Sequence, residues 1–276
     1  MKKFLALLLV LAMALTIVAC NGTTKPVETK PTESGSPTEP GTTDPGTDPT
    51  EPVAPGGSLI AVSLASEPDT LDPALNSAVD GATLIVHLFS GLAKWSVDAA
   101  GNYEIVADAA EELVEGVAND DGTVTYTYTL RDGMKWSDGQ PVTANDFEFA
   151  WKRASSVDLG ADYEYMFEVV DGYGDEVNVK ALDEKTLEVT LANAVPYWDE
   201  LLAFPTYFPV REDVVSDETW ATNPATYVSN GPYIMSGWEH NSKITLTKNP
   251  DYVDADTVTM DTIEFYLSDD SNNMLA

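Results

Sequence analysis

Residues 126–153 read YTYTLRDGMKWSDGQPVTANDFEFAWKR, and nearly every step in them carries a structural instruction. Extended back to Thr123, the segment 123–130 alternates strictly, so Val124, Tyr126, Tyr128 and Leu130 share one face of a half-buried strand. Arg131-Asp132-Gly133 and Ser137-Asp138-Gly139 are turn signals on either side of a short piece at residues 134–136. Thr143, followed three residues later by Asp146, matches a capping box with Asp in place of the usual Glu. The helix it opens runs through Arg153, with Phe147, Ala150, Trp151 and Ala154 on its apolar side and Glu148 and Lys152 at a favourable i,i+4 spacing.

Outward from this block the same mixture recurs. Upstream, residues 59–64 form a short, mostly apolar strand candidate ended by Pro68 and Pro73. Residues 81–92 place Leu84, Ile85, Leu88, Phe89 and Leu92 at the spacing of an amphipathic helix. Downstream, residues 177–181 and 186–191 read as a hairpin around Asp183-Glu184, and Pro196 is placed as a first helical residue before Tyr197, Trp198, Leu201 and Leu202. Residues 233–235, 243–248 and 262–267 are further strands, separated by Asn230-Gly231-Pro232 and Asn249-Pro250. Hairpins interleaved with helices favour a mixed-sheet α/β or α+β body over a purely parallel one.

Composition bounds the function. The 276 residues carry 14 Lys and Arg against 46 Asp and Glu, a formal net charge of −32, with 43% hydrophobic and 9% aromatic residues. That apolar content excludes disorder for the chain as a whole. The charge opposes binding to nucleic acid, which depends on Lys and Arg replacing counterions. One cysteine and two histidines leave neither a disulfide framework nor a zinc cluster.

The single cysteine has a place of its own. Lys2 and Lys3 precede an apolar run, residues 4–18, interrupted only by Thr16 and ending at Ala19-Cys20. This is the pattern of a secretory signal over residues 1–19, too short to favour a permanent membrane span. Ile17-Val18-Ala19-Cys20 also resembles a bacterial lipobox, which makes Cys20 a lipid attachment site, and a diacyl anchor holds where one chain would be marginal. Without the leader and its two lysines the chain has 12 bases and 46 acids, a net of −34. Residues 21–57, NGTTKPVETKPTESGSPTEPGTTDPGTDPTEPVAPGG, are too poor in large apolar residues to offset chain entropy and read as a disordered tether. The expected location is the outer side of the cell membrane, or the periplasm where an outer membrane is present.

Catalytic chemistry is hard to assemble from what remains. His87 lies near the apolar side of its helix, His240 sits in a polar turn, and Cys20 is spent on the anchor. Acid pairs such as Glu111-Glu112 are so plentiful that a solvated face is their ordinary reading. Residues 119–122, NDDG, and the acids Asp251, Asp254 and Asp256 lack the ordered ligand run of a calcium loop, and no Gly-rich phosphate loop is present. The expectation is no enzyme, no metal and no cofactor.

Four segments in order, EPDTLDP (residues 67–73), the 126–153 block, VKALDEKTLEVTL (residues 179–191) and NGPYIMSGWEHNSKITLTKNPDY (residues 230–252), together resemble the oligopeptide- and dipeptide-binding proteins of ABC importers, extracellular solute-binding protein family 5. The resemblance implies a type II periplasmic-binding-protein-like α/β fold with a mixed sheet and an inserted α+β domain. One lobe would comprise residues 58–89 and 204–276, the inserted domain residues 90–203. Trp136, Asp138, Gly139 and Pro141 look like turn and packing devices. The ligand positions it implies are Ser77, Ala78 and Val79 in the loop after the first strand, Tyr163 in the inserted domain, and Asn230-Gly231. The implied partners are a peptide ligand, an ABC permease and, through the anchor, a membrane, with the protein a monomer.

The chain departs from the family after residue 267. SDDSNN looks like an N-cap and acidic first turn, followed only by Met274, Leu275 and Ala276. Family members are about twice as long, so a truncated chain lacking the second lobe is expected. Competing readings are a binding protein for nickel or oligosaccharide, a non-transport surface adhesin on the same scaffold, and a secreted carboxylate hydrolase.

Overall fold

The computed structural model describes residues 58–268. The signal segment, Cys20, the tether and all but Ser268 of the helix opening expected after residue 267 lie outside the described residues.

Among the described residues ten strands form three sheets. The first has the order β1-β10-β9-β8, from β1 (Leu59–Leu64), β8 (Tyr233–Glu239), β9 (Lys243–Lys248) and β10 (Thr262–Leu267). β1 runs parallel to β10 with Leu59 opposite Thr262 and Leu64 opposite Leu267, while the other pairs are antiparallel. The sheet is therefore mixed. At the β8–β9 turn Asn241 has a φ of 59°, a left-handed conformation that asparagine tolerates better than most residues.

The second sheet is a hairpin, β2 (Ala93–Val97) with β3 (Tyr103–Ala107). The third has the order β4-β5-β7-β6, from β4 (Val117–Ala118), β5 (Val124–Thr129), β6 (Val179–Ala181) and β7 (Thr186–Leu191). The alternation in β5 buries Val124 and Tyr128 while Thr127 and Thr129 face water. The β6–β7 turn is held by Asp183, whose carboxylate accepts from the Lys185 and Thr186 amides and the Thr186 hydroxyl.

Four α-helices are described: α1 (Val79–Leu88), α2 (Ala144–Ala154), α3 (Trp198–Leu202) and α4 (Glu212–Val215). At the start of α2, Asp146 Oδ2 accepts from the Thr143 amide at 2.8 Å, the Thr143 hydroxyl at 3.1 Å and Trp136 Nε1 at 3.3 Å. One carboxylate thus fixes both the helix start and the Trp136 turn. Burial pushes that carboxyl above the usual aspartate range, and these three donors offset part of the rise.

The sequence reading extends α1 to Leu92, but the helix ends at Leu88. Phe89 leaves the helix in extended conformation, φ −125° and ψ 155°, and just beyond it Gly91 passes where a Cβ would lie 2.5 Å from the Phe208 ring and 3.0 Å from the Leu202 carbonyl. β8 runs on to Glu239, beyond the strand expected at residues 233–235, by way of a register shift between Met235 and Gly237.

One continuous core runs from Leu64 to Leu267, joining residues of α1, α2 and the sheets with buried aromatic residues between them. Its centre is aromatic: Trp151, Phe167, Trp198 and Tyr207 contact one another, with Trp151 and Tyr207 5.1 Å apart edge to face. Their polar tips are all partnered. Trp151 Nε1 donates to the Tyr207 carbonyl, Trp198 Nε1 to the Tyr128 hydroxyl, and the Tyr207 hydroxyl to the Met166 carbonyl. Burial pushes the Tyr128 and Tyr207 phenols far above the usual tyrosine range, keeping them neutral.

Candidate ligand cleft

The chain leaving β1 is locked before it reaches the surface. Asp72 is fully buried, and its carboxylate takes both guanidinium arms of Arg153 on α2, at 3.1 and 2.6 Å, together with the Ala74 amide. The Asp72 carbonyl accepts from the Asn76 amide, and Asn76 Nδ2 donates to the Ala78 carbonyl at 3.0 Å. The Tyr227 hydroxyl holds the Leu71 carbonyl at 2.8 Å. Gly81 makes room for Asn76, since a Cβ there would sit 2.0 Å from Asn76 Oδ1.

With residues 71–76 so fixed, the next three have nowhere to go but outward. Ser77, Ala78 and Val79 are exposed, Val79 to 81%. Tyr163, which precedes the 3-10 turns of Glu164–Val169, faces them with its ring edge-on to Phe204 at 5.2 Å. Asn76, Ser77, Ala78, Val79, Ala82, Tyr163, Phe204 and Pro205 enclose a cleft of about 180 Å³. The Ser77 hydroxyl closes one end by donating to Asp162 at 2.6 Å.

Ser77, Ala78, Val79 and Tyr163 therefore meet at one cleft. Asn230 and Gly231 do not line this cleft. Asn230 is 1% exposed, and its side-chain amide accepts from the Ser90 amide and donates to the Ser90 carbonyl, both at 3.0 Å. Gly231 donates to the Leu88 carbonyl at 2.8 Å, and a Cβ on it would fall 2.5 Å from the Leu88 carbonyl carbon. This pair clamps the end of α1 to the start of β8. Phe204 and Pro205 are cleft residues that the sequence reading missed, because an apolar pair after a short helix has no signal that distinguishes it from core.

Of the larger hollows, the two largest described are less suited to a ligand. One of about 460 Å³ beside Phe89, Trp95 and Tyr252 has its charges already matched, Lys94 Nζ lying 2.7 Å from Asp108. The other, about 680 Å³ along the outer face of α2, is lined by Glu148 and Lys152, which pair with each other at 2.9 Å. Among the described residues no cluster of His, Cys, Asp and Glu could hold a metal ion, and no helix is long and apolar enough to cross a membrane.

The family model for bacterial extracellular solute-binding proteins, family 5, matches residues 104–276, more than half of the chain. The chain belongs to that family. The relatives it matches are named for binding and not for catalysis. It is 37% identical over 232 residues to the oligopeptide-binding protein OppA of Bacillus subtilis, covering 80% of this chain and 41% of the relative. The dipeptide-binding protein DppE of the same organism is 34% identical over 227 residues, covering 79% and 40%. Among solved structures, Listeria monocytogenes OppA bound to peptide superposes with a TM-score of 0.71 at 33% identity, covering 80% of this chain and 44% of that one. The murein tripeptide binding protein MppA of Escherichia coli gives 0.67 at 28%, covering 77% and 42%. The fold is thus the α/β fold of these family 5 binding proteins, and the chain spans about two fifths of the length of the curated relatives it matches.

Proposed function

We propose that this family 5 chain is the ligand-capturing component of an ABC-type peptide importer, with the cleft at Ser77, Ala78, Val79 and Tyr163 as its peptide contact. The observation that supports the reading is the convergence of an outward-turned loop with a tyrosine about ninety residues away at a cleft with apolar walls. The Ala78 and Val79 carbonyls are taken by Asn76, Ala82 and Thr83, so the loop offers an extended peptide its N–H groups, while the walls accept a side chain. In this reading residues 58–89 and 204–268 form the binding lobe and residues 90–203 an insertion that contributes Tyr163. Cys20 is the lipid attachment site, residues 21–57 the tether, and a membrane permease the partner. The protein acts as a monomer, exported and held at the cell membrane.

Titration calorimetry and ligand-observed NMR on the 276-residue chain with short mixed peptides test this. A cleft this small and open supports millimolar affinity, about 4 kcal/mol, weakened about tenfold by Tyr163→Ala. One relative, 35% identical, is a probable deoxycholate-binding protein of Escherichia coli. Binding of deoxycholate with no response to any peptide would replace the peptide reading.

A further inference from the structure

The charge around the cleft is one-sided. No Lys or Arg is among the residues that line it. At its rim stands Asp162, exposed and adjacent to Tyr163, with Oδ2 taking the Ser77 hydroxyl and Oδ1 left for an incoming donor. The next residue, Tyr163, packs its ring edge-on to Phe204 at 5.2 Å and lies 6.2 Å from the ring of the half-exposed Tyr165. The cleft volume of about 180 Å³ is below the roughly 300 Å³ of a drug-sized site, so one side chain fills it. Aromatic faces next to a carboxylate suit one kind of side chain, an aliphatic stem that ends in a cation.

We propose that this cleft selects peptides presenting a lysine or arginine side chain, with Val79, Tyr163 and Phe204 taking the stem and Asp162 the charge. The inference rests on the peptide reading above and names the residue that biases it. A competing attraction exists at the same place, since α1 begins at Val79 with no side-chain cap, and the N–H groups of its first turn favour an anion. Asp80 already supplies negative charge to that turn and accepts the Ser66 hydroxyl. The excess of 46 acids over 14 bases adds a field that draws cations toward the whole surface.

The test is ligand-observed NMR on the 276-residue chain with three tripeptides, Ala-Lys-Ala, Ala-norleucine-Ala and Ala-Glu-Ala. The lysine peptide is expected to bind about fivefold tighter than the norleucine peptide, and the glutamate peptide weakest. Asp162→Asn, checked for folding by circular dichroism, should bring lysine and norleucine to within about twofold, and Asp162→Glu should restore the gap. The gap should also shrink between about 20 mM and about 500 mM salt, because the charge is exposed. Equal binding of lysine and norleucine, or tightest binding of glutamate, overturns the selectivity while leaving the peptide reading intact. A lysine preference that survives Asp162→Asn overturns the role given to Asp162. No response to any of the three up to about 10 mM overturns both the selectivity and the peptide reading.

Discussion

Among the bonds that tie the segment after β1 to the rest of the molecule, those of two acids differ in kind. Asp72 is fully buried and meets an Arg153 side chain that is only 16% exposed. Glu67 lies near the surface and meets the β8–β9 turn, taking Trp238 Nε1 at 2.8 Å, His240 Nδ1 at 2.6 Å and the Asn241 amide at 2.5 Å. The first bond sits where water cannot replace either partner, so losing one partner strands a buried charge. The second sits where water can substitute for each donor, so its loss is cheap. The loop is therefore rigid at its cleft end and adjustable at its strand end.

The sharpest way to break this contrast is Asp72→Ala, which leaves the Arg153 guanidinium buried and unpaired. A loss of about 3–5 kcal/mol is expected by denaturant unfolding. The double variant with Arg153→Met should recover a large part of it, and strictly additive losses would show that the two residues do not act as a pair. Next in size is Gly81→Ala, where the new methyl meets Asn76 at van der Waals overlap. It should cost about 1–3 kcal/mol and raise hydrogen exchange at the Asn76 and Ala82 amides, which donate to the Asp72 and Ala78 carbonyls, before anywhere in the first sheet.

Glu67→Gln should cost only about 0.5–1 kcal/mol at neutral pH. Burial by itself would raise the Glu67 carboxyl, but the donors from His240, Asn241 and Trp238 hold it below the usual glutamate range. A lowered folded pKa means that its stabilisation is present above the unfolded value of about 4.3 and is lost as pH falls through the lower folded value. Unfolding midpoints measured from pH 6 down to pH 3, on the order of the carboxylate range, should thus converge for wild type and variant. Curves that stay parallel would assign the acid sensitivity to other groups. Smallest of all is Thr143→Ala, at about 0.5 kcal/mol, because the Thr143 backbone amide keeps its bond to Asp146 after the hydroxyl is gone.

What the sequence made legible follows the same division between local and distant causes. The β5 alternation, the Asp183 turn and the Asp146 box are written within a few residues of where they act. The β2–β3 hairpin was invisible because Trp95, Val97 and Tyr103 are more than half exposed, so its apolar residues trace no buried face. Past the true end of α1 Gly91 meets Phe208 and Leu202, over a hundred residues away, and Leu92 kept the helical spacing going. Of the cleft, Ser77, Ala78, Val79 and Tyr163 were reachable through the family's motifs. Asp162 was one acid among 46, and only the fold sets it against Ser77. Asn230 differs for the opposite reason, since a polar residue in an Asn-Gly turn reads as exposed and here spends its side-chain amide inside the protein.

The parallel pairing of β1 with β10 sets a timetable for the chain. Leu59 cannot find Thr262 until about two hundred residues more have been made, which takes on the order of 10–40 s at typical synthesis rates. Throughout that interval the hexapeptide LIAVSL, uncharged and free of proline, is a strand without a neighbour, the kind of segment that pairs with other chains when left waiting. The late arrival of its partner strand therefore leaves LIAVSL as the stretch a holding chaperone would cover until β10 is made.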